Sequence, residues 1–238
     1  MQLWPGLNPA LDRDGIAQAF ARDRRVHIPA ILTVESAARV HRCLAEETDF
    51  SLLCRTDDGQ AQAWRVAELT RSKEAELMNA AFAGARDGFH FHYDGHVLSR
   101  DGEGYRDPSH PLAAITAFLN SPPLLDFARR ITGNPAIAFA DAQATRYRRG
   151  HFLNQHDDAN DPSRIAAYVL NMTPHWRWDW GGALLFSDRP GHFSQGFMPA
   201  FNALNLFAVP QQHLVGLVSP FAGAHRLSIT GWFRSRAS

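Results

Sequence analysis

Polar and apolar positions divide the chain into a helical first third and a strand-rich remainder. Residues 12–23 carry their apolar side chains at helical spacing, and Val26-His27-Ile28-Pro29 reads as a short strand. Thr33 caps a predicted helix through Glu47, with Val34, Ala37, Ala38, Val40 and Leu44 as its apolar stripe. Ser72 caps another through Ala85 that holds Leu77, Ala80, Ala81 and Phe82. Ser121, with Pro122 just inside, starts a fourth that runs to Arg130.

Strands are predicted over residues 89–98, 136–147, 165–170, 182–186, 203–207, 213–218 and 226–233. The last alternates, with Leu227, Ile229 and Gly231 on one face and Arg226, Ser228 and Thr230 on the other. Helices first and many short strands later imply an α+β protein whose strands form a sandwich or barrel.

Composition removes alternatives. The formal net charge is zero, which favours neither nucleic acid nor a membrane surface as partner. No apolar leader or long apolar span occurs, and Cys43 and Cys54 form no metal or redox spacing, so the expected compartment is the cytoplasm. Lys73 is the only lysine, which excludes a phosphate-binding GxxxxGK. At 238 residues the chain suits one domain, 1–238, with helical support over about 1–135 and a strand core over about 136–238. The oligomeric state is not legible.

The candidate chemistry lies in His156-x-Asp158, His213 and Arg226. Two imidazoles and one carboxylate are the ligand set of a mononuclear iron(II) centre, and they leave coordination positions open. Arg226 and Ser228, two apart on a strand, can clamp one carboxylate of a bound dicarboxylate. A lone His-x-Asp is weak, because 12 His and 17 Asp in 238 residues produce about one by chance. A rival set exists in His92, Asp94, His151 and Arg164. Its gaps after the aspartate are 57 and 13 residues, against 55 and 13 for the first set. Context favours the later set: Arg226 opens an alternating strand, whereas Arg164 follows the turn residues Asp161-Pro162-Ser163.

Tyr147-Arg-Arg-Gly150, HDD at 156–158, YVLN at 168–171, WDWGGALLF at 178–186, PAFNALNLF at 199–207, His213 and RLSITGWF occur in that order. The set resembles the prolyl-hydroxylase-like group of iron(II)/2-oxoglutarate-dependent oxygenases, over about residues 138–233. The resemblance implies a double-stranded β-helix (jelly roll) with the N-terminal helices packed on one sheet. It implies Fe(II) held by His156, Asp158 and His213, and 2-oxoglutarate held by Arg226 with Tyr147 lining its pocket. O2 would be co-substrate, and ascorbate is among the accessory reductants the resemblance admits. The implied reaction hydroxylates an unactivated C–H bond, releasing succinate and CO2. Its substrate would be a prolyl residue of a protein or peptide; a free amino acid or small metabolite is the alternative, and a non-catalytic metal-binding jelly-roll module the third reading. The chain departs from the group in two places. Val169 stands where oxygen-sensing members carry a second tyrosine, and the stretch from His213 to Arg226 is longer, which makes His225 a rival third ligand.

Other clusters have plainer readings beside functional ones. His90, His92 and His96 suit a sheet edge, with substrate contact as the functional alternative. Trp176, Trp178 and Trp180 suit core or rim packing, and Arg146, Arg148 and Arg149 a solvated face.

Overall fold

The computed structural model describes residues 5–56 and 59–236. Helix α1, Arg13–Asp23, begins where the Asp12 carboxylate accepts the Gly15 N–H. Helix α2, Val34–Arg42, is capped by Thr33 and runs on as a π-helical turn, Cys43–Glu47. Its buried face is Ser36, Ala37, Val40 and Leu44; Val34 and Ala38 of the expected stripe face outward, which makes that face narrower than predicted. Helix α3, Arg71–Gly84, starts two residues earlier than expected. Thr70, in extended backbone, accepts the Lys73 N–H, so Ser72 is inside the first turn rather than the cap. Helix α4, Pro111–Leu119, was not expected, because PLAAITAFL is apolar nearly all round and shows no amphipathic period. Helix α5 is Pro122–Thr132, closed by Gly133 at φ 67°.

Thirteen strands form one antiparallel sheet that curls towards a barrel. In chain order they are β1 Arg25–Ile28, β2 Ser51–Arg55, β3 Ala61–Arg65, β4 Phe91–Ser99, β5 Phe139–Ala140, β6 Ala142–Tyr147, β7 Phe152–His156, β8 Arg164–Asn171, β9 Leu184–Phe186, β10 Gln195–Phe197, β11 Ala203–Ala208, β12 His213–Val215 and β13 Arg226–Arg234. The hydrogen-bonded path is β1-β11-β8-β13-β6-β4-β7-β12-β9-β10; β2 joins β3 to β4, and β5 pairs with β13. This is the jelly roll with helices on one sheet. The N-terminal third is not helical support alone, since β1 to β4 belong to the same sheet.

Strand alternation sorts the side chains into two cores. Ala166, Tyr168 and Leu170 of β8 and Leu227, Ile229 and Phe233 of β13 meet the helices. Ala167 and Val169 of β8 and Trp232 of β13 turn the other way, to a second cluster with Phe186, Phe207 and Val215. The expected single strand 136–147 is interrupted at Asp141, whose carboxylate accepts the Trp232 N–H at 2.7 Å. Gly231 permits that close passage, because a Cβ there would lie 2.0 Å from the Asp141 carbonyl oxygen. No helix among the described residues is long and apolar enough to cross a membrane.

Candidate metal centre

His156 ends β7 and His213 begins β12, and the two are direct partners in the β7–β12 ladder. Their rings lie 4.1 Å apart. Asp158 is brought to them by a turn: β7 stops at His156, and Asp158 takes the left-handed conformation, φ 63°, which aspartate tolerates better than most residues. Sequence alone suggests that a strand end would place 156 and 158 on one side. The structure achieves the placement through the reversal instead.

The donor atoms converge. The Nε2 of His156 and that of His213 each lie 3.7 Å from an oxygen of Asp158. One ligand atom from each of the three residues lies within 4.8 Å of the others, and this is the one such group of three among the described residues. Both imidazoles give their Nδ1–H to a backbone carbonyl two residues upstream, His156 to Asn154 at 2.9 Å and His213 to Gln211 at 2.8 Å. That fixes the tautomer and turns each Nε2 lone pair towards Asp158. Burial, and then the neighbouring His156, push the His213 imidazole down to about 4, so it is neutral and free to ligate at pH 7.

Asp158 is held from behind. The Trp232 indole N–H donates to its Oδ2 at 2.9 Å, and the Arg164 guanidinium lies 3.6 Å from Oδ1 and 3.8 Å over the Trp232 ring. Trp232→Phe keeps the ring but deletes that donor. It is expected to weaken Ni(II) binding by about 10-fold, measured by calorimetry, with little change in thermal stability.

Arg226 lies in the same cavity. It is only 1% exposed, stands over the Tyr147 ring at 4.8 Å, and its Nε and Nη1 have no hydrogen-bond partner among the described residues. A buried guanidinium with unspent donors is costly without an anion, so the site fits a ligand carboxylate there. Burial lowers the Arg226 pKa and raises that of Tyr147. Tyr147 in turn stacks on Tyr93, with 5.1 Å between the rings. Ser228 shares the strand face of Arg226, but its hydroxyl is bonded to Thr145 at 2.8 Å and is not among the groups lining the cavity.

The cavity has a volume of about 420 Å³, and its lining includes the exposed Asn160 and the half-buried Phe89, Phe91 and Leu153. Residues 142–234 match the family model of the 2OG-Fe(II) oxygenase superfamily. The matched segment, less than half of the chain, contains the three converging side chains and Arg226. The fold is shared with a 2OG-Fe(II) oxygenase family oxidoreductase from Burkholderia pseudomallei, at 16% identity and TM-score 0.63, over 100% of this chain and 97% of that one. It is shared with a Pseudomonas putida prolyl-4-hydroxylase, at 17% identity and TM-score 0.61, over 94% of this chain and 100% of that one. A Trichoplax adhaerens prolyl hydroxylase, solved with a hypoxia inducible factor oxygen degradation domain peptide fragment, has 16% identity and TM-score 0.62, over 94% of this chain and 89% of that one. Comparison with curated protein sequences gives no match.

The rivals fall elsewhere. His225 sits near Arg146, Arg148 and Asp94, away from the cavity that holds His156, Asp158 and His213. His92 and His151 do meet, with rings 5.0 Å apart, but both carboxylate oxygens of Asp94 are taken by Arg148 and one also by Arg146. Arg164, the fourth member of that set, is instead the wall of the cavity beside Asp158. Arg146 and Arg148 are therefore not a solvated face: they neutralise a fully buried aspartate. The histidines of residues 90–96 also turn away from that cavity, and it is Phe89, Phe91 and Tyr93 that line it. His96 is tied to the Asp49 carbonyl and the Tyr105 hydroxyl. Trp176 and Trp180 pack edge to face, while Trp178 is exposed, and none of the three lines the cavity. Arg164 was singled out only for the rival set, and Trp232 and Tyr93 were missed as site residues, because a tryptophan and a tyrosine on strands read equally well as packing.

His92 and His151 are fully buried, and their ring nitrogens make no well-formed hydrogen bond among the described residues. Burial pushes His92 down to about 4 and His151 down to about 3, from an ordinary 6.5. In the unfolded chain both take up a proton below about pH 6.5, while the folded protein refuses it. Stability from this source is full above that pH and is lost progressively as pH falls towards 4. The loss is expected to reach up to about 3 kcal/mol per pH unit for the pair, read from urea midpoints at pH 7, 6 and 5. A His92→Phe, His151→Phe double variant that keeps the wild-type slope contradicts this.

Proposed function

We propose that the chain is an Fe(II)- and 2-oxoglutarate-dependent dioxygenase that hydroxylates an unactivated C–H bond, with a prolyl residue of a protein or peptide as its substrate. The observation that carries the reading is the unpaired guanidinium of Arg226 buried in the same cavity as three converging ligand atoms. His156, Asp158 and His213 would hold the metal, and Arg226 would hold the distal carboxylate of 2-oxoglutarate, over Tyr147. Bound iron would supply activation of O2, the oxidant: one oxygen atom goes to succinate as 2-oxoglutarate loses CO2, and the other to the hydroxyl that replaces the substrate hydrogen.

The chain's own residues supply order. The two imidazoles and one carboxylate occupy one side of a metal and leave the other side for co-substrates. Trp232 keeps the ligating carboxylate from rotating, and the aromatic wall of Phe91, Tyr93 and Tyr147 excludes water from the reacting region. The open mouth between Phe89 and Asn160 admits a side chain presented from outside, which supports a peptide substrate. A second reading, a free amino acid, is supported by Arg164, which lies on the cavity wall and whose buried Nε makes no hydrogen bond among the described residues, only a 4.0 Å ion-pair contact with Asp161, so that it suits a substrate carboxylate. Succinate release from 2-oxoglutarate with Fe(II) present, assayed against proline-containing peptides and against free amino acids, tests the proposal. Uncoupled or absent turnover with every peptide, alongside turnover with a free amino acid, transfers the assignment to the second reading. No succinate under any condition removes both.

A further inference from the structure

The two ends of the strand path, β1 and β10, are not hydrogen-bonded to each other. His27 of β1 meets Phe197 of β10 ring to ring at 5.6 Å, and Arg25 spans the two strands by hydrogen bonds. Arg25 of β1 is 9% exposed at its side chain, and all its nitrogens are used. Its Nε donates to Gln195 Oε1 of β10 at 2.8 Å. Its Nη1 donates to Gln211 Oε1 at 2.8 Å and Asp188 Oδ1 at 3.1 Å. Its Nη2 donates to Asp188 Oδ2 at 2.8 Å and Ser194 Oγ at 3.0 Å. The guanidinium also lies 4.8 Å from the centre of the Phe186 ring.

Two of these contacts lead to the metal centre. Gln211 lies outside any strand, and its backbone carbonyl is the acceptor for His213 Nδ1–H. Its side chain is gripped at both ends, accepting from Arg25 and donating to the Arg24 carbonyl at 2.8 Å. Phe186, under the guanidinium, is the ladder partner of His213 in the β9–β12 pair. The hydrogen bond that sets the His213 tautomer therefore depends on a loop residue anchored 186 positions away in sequence.

We propose that Arg25 is a positioning residue for the metal-ligating imidazole of His213, acting through Gln211 and Phe186; this rests on the reading that His156, Asp158 and His213 bind metal. A guanidinium fork can hold four side chains from three segments at once, which a lysine ammonium cannot. With it in place, the Gln211 carbonyl stays where His213 must donate to aim Nε2 at the metal. Without it the Gln211 side chain keeps only its bond to the Arg24 carbonyl, and the third ligand spends part of its time misaimed.

The test is anaerobic calorimetric titration of the full chain with Ni(II), without 2-oxoglutarate, for Arg25→Gln, Gln211→Ala, the double variant and His213→Ala. Arg25→Gln and Gln211→Ala are each expected to bind 10- to 100-fold more weakly than wild type. The double variant should lose less than the two single losses combined, because both act through one carbonyl. Arg130→Gln cuts the α1–α5 ion pair with Asp14 and serves as a control for general loosening, with unchanged metal affinity expected. If Arg25→Gln does not fold, Gln211→Ala decides alone. Wild-type affinity in both folded variants, with binding lost in His213→Ala, overturns the role of Arg25. Unchanged affinity in His213→Ala removes the metal assignment itself and this proposal with it.

Discussion

Asp158→Ala is expected to reduce 2-oxoglutarate turnover to background and to weaken Ni(II) binding by more than ~100-fold, beyond what loss of an outer hydrogen bond costs. The reason is charge as well as geometry. Asp158 is the one anion of the three, while His213 is buried and neutral. Removing it leaves no anionic ligand to face a divalent cation, with the Arg164 guanidinium on the same side relieved of one of its carboxylate partners. Alanine also fits the left-handed φ of 63° less well than aspartate, so a second substitution separates fold from function. Asp158→Asn tolerates that conformation and keeps an acceptor for the Trp232 indole, yet it removes the charge. It is expected to melt within a few degrees of wild type while losing turnover. Wild-type turnover in Asp158→Asn would show that this carboxylate is not a ligand.

Arg226→Met should produce effects of opposite sign on the free and the loaded protein. In the loaded protein it leaves a desolvated carboxylate without its cation, and the 2-oxoglutarate requirement is expected to rise by roughly 2–5 kcal/mol, about 30- to several-thousand-fold. In the free protein it removes a buried cation whose Nε and Nη1 are unpaired, and replaces it with an apolar side chain of comparable length. Buried charges replaced by apolar groups are often neutral or stabilising, so the melting temperature without ligand should hold or rise. Turnover titrated against 2-oxoglutarate, together with melting curves with and without it, reads both effects. An unchanged 2-oxoglutarate requirement would end the assignment of Arg226, and a large drop in the free protein's melting temperature would recast it as structural.

The ordered motifs of the C-terminal half were legible because each is a local pattern that the strands preserve. Arg226 and Leu227 point to opposite faces in the structure for the reason visible in the sequence: side chains alternate along a strand. The choice between His156-x-Asp158 and His92-x-Asp94 was less secure from spacing, since both have a histidine and an arginine at matching intervals. What separates them is that Asp94 is spent on Arg146 and Arg148, whereas Asp158 meets two Nε2 atoms. Those partners come from different strands, so no window of sequence contains the answer. Helix α4 escaped for a related reason: a helix buried on most sides loses the polar stripe by which periodicity finds it.

By itself, the sequence determined which residue types could ligate, the face on which each strand presents them, and most helix starts, because caps and alternation act over a few residues. Only the tertiary structure decided which histidine lies beside His156 and Asp158, that Trp232 and Arg164 stand behind Asp158, and that Arg25 reaches the loop before His213. Those contacts join segments from opposite ends of the chain, and their geometry is set by how a curled sheet brings its strands together rather than by any local preference.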